Sequence, residues 1–193
     1  MLEICKSISD CIENINDDEV DQLVNLLIEG WKNSKRIFIT GAGRSGLMGR
    51  AFAMRLMHLG YDVFVVGETI TPALREGDIL IAISGSGRTK LVVETSKIAK
   101  EDIRAKVIAI TSYPDSPLGR IADHVVVVKG RTKYSLRDDY ISRQIKGEHS
   151  PLTPLGTLFE SSVLAFLDGL IAELMEKTGK REEDLLKQHS TLE

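Results

Sequence analysis

The stretch Arg36-Ile37-Phe38-Ile39-Thr40-Gly41-Ala42-Gly43-Arg44-Ser45-Gly46 decides the fold. It opens as a short β-branched and aromatic run and ends in a glycine-rich turn. A helical pattern follows over residues 45–59, closed by Gly60 as a C-cap signal. A strand that runs through a glycine turn into a helix is the first half of a β–α–β unit. Four more apolar runs repeat the theme, at residues 62–66, 78–83, 106–111 and 124–128. All are rich in Val and Ile with little alternation, the pattern of strands covered on both faces of a parallel sheet. A helical segment over 89–100 separates the third run from the fourth. The expected architecture is a three-layer, doubly wound α/β domain around a five-stranded parallel sheet.

Outside that core the pattern changes. Residues 1–34 read as two amphipathic helices, with Asn16-Asp17-Asp18-Glu19 as the break, N-cap and acidic first turn between them. An alternating α/β core does not need them, so their apolar faces are expected to suit another subunit. The core proper covers 35–178. Residues 130–153 form a long polar segment, the kind of loop that is functional or flexible. A long helix is expected over 157–178, and 179–193 is a charged tail.

Composition narrows the function classes. A chain of 193 residues with 42% apolar and 27% charged side chains fits one globular domain. Net charge is −3, and no basic run argues for nucleic acid. No apolar stretch approaches the roughly 18 residues needed to span a bilayer, and the N-terminus lacks a signal-peptide pattern, so a cytoplasmic protein is expected. Cys5 and Cys11 are read as two small, partly buried side chains. The four histidines are scattered, so neither a disulfide nor a metal site is expected.

Two loops carry phosphate-binding character. Gly41-Ala42-Gly43-Arg44-Ser45-Gly46 matches the dinucleotide pattern G-x-G-x-x-G in the right context. Glu68, the candidate ribose-binding acid, falls slightly late after the second run. The loop Ser84-Gly85-Ser86-Gly87-Arg88-Thr89 also opens a helix and carries three hydroxyls. Helix N-terminal N–H groups attract anions, hydroxyls add directional donors, and glycines let a phosphate approach the backbone. A dinucleotide enzyme has no use for a second cradle two strands away. A compact sugar monophosphate can place its phosphate on one loop and its hydroxyls on the other. Arg44 and Arg88 are the cations best placed to face phosphate or enediolate oxygens, and Thr69 and Thr71 are further candidates for the sugar.

The S-x-S-G-x-T element preceded by G-x-G-x-S-G resembles the sugar isomerase (SIS) domain, from about Trp31 to Met175. Gly43-Arg44-Ser45-Gly46, Phe52-Ala53-Met54-Arg55-Leu56-Met57-His58-Leu59-Gly60, Val66-Gly67-Glu68-Thr69, Ile83-Ser84-Gly85-Ser86-Gly87-Arg88-Thr89 and Pro154-Leu155-Gly156-Thr157-Leu158-Phe159-Glu160 together resemble the 6-phospho-3-hexuloisomerases in particular. The resemblance implies a flavodoxin-like strand order and a cofactor-free interconversion of D-arabino-3-hexulose 6-phosphate and D-fructose 6-phosphate through a cis-enediolate. It also implies a place in the ribulose monophosphate pathway beside 3-hexulose-6-phosphate synthase. Other SIS isomerases, for arabinose 5-phosphate or sedoheptulose 7-phosphate, and a non-catalytic sugar-phosphate sensor stand as alternatives. It makes Glu160 the expected base, in an apolar setting that suits a raised pKa. Gly43, Arg44, Ser45, Ser84, Gly85, Ser86, Gly87 and Thr89 become the expected substrate contacts. By analogy with SIS isomerases, His58 or His189 would complete a site shared between subunits of a dimer or tetramer. His58 lies on the order of 18 Å from its own loop at 1.5 Å per helical residue, so it would serve a neighbour.

Overall fold

The structure, a computed structural model, describes residues 2–130, 157–186 and 188. Two helices lead, α1 (Leu2–Glu13) and α2 (Asp17–Lys32). The alternating core follows: β1 (Ile37–Gly41), α3 (Arg44–His58), β2 (Val63–Val65), β3 (Ile79–Ile83), α4 (Lys90–Glu101), β4 (Lys106–Thr111), α5 (Pro117–Ile121) and β5 (His124–Val127). The long helix α6 (Thr157–Thr178) and the short α7 (Glu182–Leu186) close the described chain. The 130–153 loop lies almost wholly outside the described residues, as does His189.

All five strands are parallel, in the order β2-β1-β3-β4-β5. The chain steps from β1 out to β2 and then crosses back to β3 on the other side of β1. Strand order therefore reverses between β1 and β3, and the loops that leave those two strands flank the crevice where such sheets bind ligands.

Strand side chains alternate between two apolar layers. Ile37, Ile39, Ile79, Ile81, Ile83, Ile108 and Ile110 join one core with α2, α3 and α6. Phe38, Leu80 and Val107 meet α4 on the opposite face, where Ala82 and Ala109 leave room for Val92 and Leu118. β2 is shorter than expected and half-buried, because it is the edge strand and covers less apolar surface.

The N-terminal helices correct the sequence expectation. Leu23, Val24 and Leu27 of α2 are fully buried against the chain's own sheet and α6, and Cys11 and Ile15 bring α1 into the same core. The apolar face read as a subunit contact is used within the chain, because the β5 end of this sheet face needs covering. Each such aliphatic side chain contributes about 2 kcal/mol by leaving water. Polar bonds fix the arrangement. Val127 N–H donates to Glu19 Oε2 at 2.8 Å, His124 Nε2 donates to the Glu19 carbonyl at 2.7 Å, and Cys11 Sγ donates to the Lys129 carbonyl at 2.8 Å. Cys5, by contrast, is exposed.

Candidate active site

The 41–46 loop is built by close backbone contact. A Cβ on Gly46 would stand 2.7 Å from the Gly41 carbonyl oxygen, and one on Gly41 would stand 3.0 Å from Gly46 N, so neither position accepts a side chain without movement. Gly43 is the N-cap of α3 at φ 58, a conformation that favours glycine, and it faces open space. Arg44 and the buried Ser45 occupy the first turn, where backbone N–H groups lack intrahelical partners. Beneath the loop a cavity of about 120 Å³ is lined by Ile39, Gly41, Gly43, Gly46, Arg50, Val65 and Val66. Arg50 Nε donates to Glu68 Oε1 at 2.9 Å, with Nη2 at 2.8 Å from the same oxygen. The acid a dinucleotide ribose would need is held by a cation of the chain itself. Thr71 is engaged too: its hydroxyl donates to the Val65 carbonyl at 2.5 Å, the bond of a turn residue.

The 84–89 loop is built by hydroxyls. Ser84 Oγ donates to Thr89 Oγ1 at 3.1 Å, Arg88 N–H donates to Ser86 Oγ at 3.2 Å, and Gly87 N–H donates to the Ser84 carbonyl at 3.0 Å. Thr89 is the N-cap of α4 in extended conformation. The next connection braces the loop from behind. Ser112 N–H donates to the Gly85 carbonyl at 3.1 Å and Leu118 N–H to the Gly87 carbonyl at 3.0 Å. Gly87, at φ 59, presses on the buried Ser116, whose Oγ would lie 1.9 Å from any Cβ there. Ser116 in turn caps α5 by accepting from Gly119 N–H at 3.2 Å. α5 has only five residues, so no periodicity betrayed it in the sequence. Ser116 was missed with it, and Arg50 gave no signal beyond its charge.

Glu160 sits in the first turn of α6. Gly130, just past β5, lies against the backbone of Phe159, where a Cβ would meet Phe159 Cα at 2.5 Å. The start of α6 is thereby held beside the carboxyl ends of the strands. Glu160 Oε2 is 3.6 Å from Arg44 Nε, an electrostatic contact too long for a strong hydrogen bond. Its side chain is 12% exposed whereas that of Arg44 is 54% exposed, so the carboxylate lies at depth and the guanidinium at the mouth. The structure thus brings together Glu160, Arg44 and the 41–46 loop. His58 it places elsewhere, 5% exposed in the last turn of α3.

The family model of the SIS domain matches residues 32–138 of this chain. The chain belongs to the SIS-domain family. Within that family it is similar to the 3-hexulose-6-phosphate isomerase of Bacillus subtilis, at 39% identity over 99% of this chain and 96% of the relative. The 3-hexulose-6-phosphate isomerase of Methylomonas aminofaciens is 37% identical over 98% of this chain and 96% of the relative. A crystal structure from Methanococcus jannaschii, which infers a function of 3-hexulose-6-phosphate isomerase for its protein, superposes with a TM-score of 0.78. Identity there is 35%, with 98% of this chain and 97% of that chain covered. These SIS relatives are enzymes, and they support a sugar-phosphate isomerase. Among the described residues no helix is long and apolar enough to cross a membrane.

Proposed function

We propose that the chain interconverts D-arabino-3-hexulose 6-phosphate and D-fructose 6-phosphate. The observation that carries this reading is the placement of Glu160: a sequestered carboxylate at the strand ends, beside Arg44 and the glycine turn. In the proposed reaction the 84–89 loop holds the phosphate through Ser84, Ser86, Thr89 and the backbone N–H groups of Gly85 and Gly87. Gly43, Arg44 and Ser45 face the sugar. Starting from the 3-hexulose, Glu160 takes the proton from C2, and the electron pair moves into a C2–C3 enediolate. The same carboxyl returns the proton to C3, leaving the carbonyl at C2. Arg44 stabilises the enediolate oxygens as charge develops. Proton movement between O2 and O3 falls to a histidine from a neighbouring subunit. Burial of His58 against its own chain favours His189 for this task.

A homo-oligomer, dimer or tetramer, with shared sites is part of the proposal. Leu47, Met54 and Met57 stand exposed along α3, with Val66 and Ile70 exposed on the segment after β2, and this surface suits a second copy. The expected setting is the cytoplasm, downstream of 3-hexulose-6-phosphate synthase.

Fructose 6-phosphate in deuterated water tests the reaction. Deuterium should enter at C3, whereas an aldose–ketose isomerase would label C1. Glu160→Gln should still bind fructose 6-phosphate and lose exchange by a factor on the order of 10²–10⁴. Exchange at C1, or unchanged C3 exchange in the variant, refutes the proposal.

A further inference from the structure

The opposite edge of the sheet carries a second feature. Lys35, Gly77, Ile79, Ala105 and Lys106 stand at the starts of β1, β3 and β4, and with α2 and the end of α4 they line a cleft of about 520 Å³. That volume falls within the range of small-molecule sites. The 41–46 and 84–89 loops are at the other ends of these strands, about 17 Å away at 3.3 Å per strand residue.

We propose that this cleft is a second ligand site, for a small phosphorylated anion that also carries an apolar body. Leu26, Ile79 and Ala105 give it an apolar floor, and Lys35, Lys100, Arg104 and Lys106 give it a cationic rim. The two facing acids offset only part of that rim. Asp123 is paired with Lys100 and also accepts from Val107 N–H at 2.8 Å, which leaves Glu29. Arg104 meets Glu76 only at 3.9 Å, with both side chains more than 70% exposed, a contact of little strength. Among the described residues Lys35 and Lys106 pair with no carboxylate. With Lys100 neutralised by Asp123, Lys35, Arg104 and Lys106 face Glu29 in the lining of this cleft, on a chain whose net charge is −3.

Helix C-termini attract cations, and that explains Lys100, in the last turn of α4. The end of α2 accounts for Lys35 in the same way, since its N–H donates to the Gly30 carbonyl at 2.8 Å, but neither helix accounts for Lys106, which opens β4. The backbone adds an independent observation. Ser34 at φ 52 and Arg104 at φ 62 are the non-glycine residues with positive φ among the described ones, and both lie in turns that rim this cleft. Each costs roughly 1 kcal/mol that glycine would avoid. At Arg104 the cost accompanies an exposed guanidinium at the rim.

Amide chemical-shift mapping and calorimetry on the full chain test the site, with inorganic pyrophosphate and adenosine 5′-monophosphate as probes. Both should perturb amides around Lys35, Gly77 and Lys106, and the monophosphate should also perturb Leu26 and Ile79. The exposed pair Lys35→Glu/Lys106→Glu should weaken that binding about tenfold or more and leave perturbations at the 84–89 loop unchanged. Lys35→Gln/Lys106→Gln, which adds no acid, should give a smaller loss in the same direction. Shifts confined to the 84–89 loop, or equal affinity in the charge-reversed variant, overturn the proposal.

Discussion

The loops after β1 and β3 follow equivalent strands, open equivalent helices and look alike as sequences, yet they are built differently. In the 41–46 loop the shape comes from backbone pressed on backbone, Gly41 against Gly46, and the mouth is left to cations. In the 84–89 loop the shape comes from hydroxyls that bond one another and from a brace supplied by the following β–α connection. The first construction leaves an open surface that can face the many hydroxyls of a sugar. The second presents a fixed set of donors, which suits one invariant group such as a phosphate. Two G-rich turns can therefore share a motif and divide a substrate between them.

Alanine substitutions at three glycines break this comparison in a predicted order. Gly87→Ala should be the most damaging, because it combines positive φ with a collision at Ser116, 1.9 Å away. We expect a loss above about 3 kcal/mol in denaturant unfolding and abolished fructose 6-phosphate binding. Ser116→Gly in the same chain should recover part of that loss. Strict additivity of the two changes would show that Ser116 does not brace the loop. Gly46→Ala meets backbone at 2.7 Å and should cost about 2 kcal/mol. Gly43→Ala meets nothing and suffers only from φ 58, so about 1 kcal/mol is expected, with weakened but measurable substrate binding. A reversed order would mean that the space around these glycines does not govern the loops.

Tyr61 supplies a yardstick away from both loops. Burial pushes its phenol up to about 12. Among the described residues its buried hydroxyl has no hydrogen-bond partner. Between pH 10 and 12 the unfolded chain releases this proton while the folded chain keeps it, so stability should fall across that window as pH rises, by about 2–3 kcal/mol in all. Tyr61→Phe should flatten that alkaline fall and leave stability at neutral pH and fructose 6-phosphate affinity nearly unchanged. An alkaline limb identical to wild type would rule out Tyr61 as its source.

Much of this was legible in the sequence, for identifiable reasons. β1, β3 and β4 are buried on both faces and so read as continuous apolar runs, and α6 is long enough for its period to show from Thr157 to Thr178. Glycines and hydroxyls advertised both loops because few other residues can build them. What stayed hidden depends on contacts distant in the chain. Nothing local in Ser116 says that it will meet Gly87, nothing in Arg50 says that it will occupy Glu68, and α2 reads the same whether it covers its own sheet or another's.

That last contact has a consequence for how the molecule is made. Glu19 and Val127 are 108 residues apart, and Cys11 and Lys129 are 118 apart. During synthesis α1 and α2 leave the ribosome more than 100 residues before the strand and helix that cover them. Their apolar faces stay uncovered until those elements emerge, and the β5 side of the sheet is covered only when these remote segments meet. Closure between such remote partners bears the entropy of a long loop, and such non-local contacts slow folding.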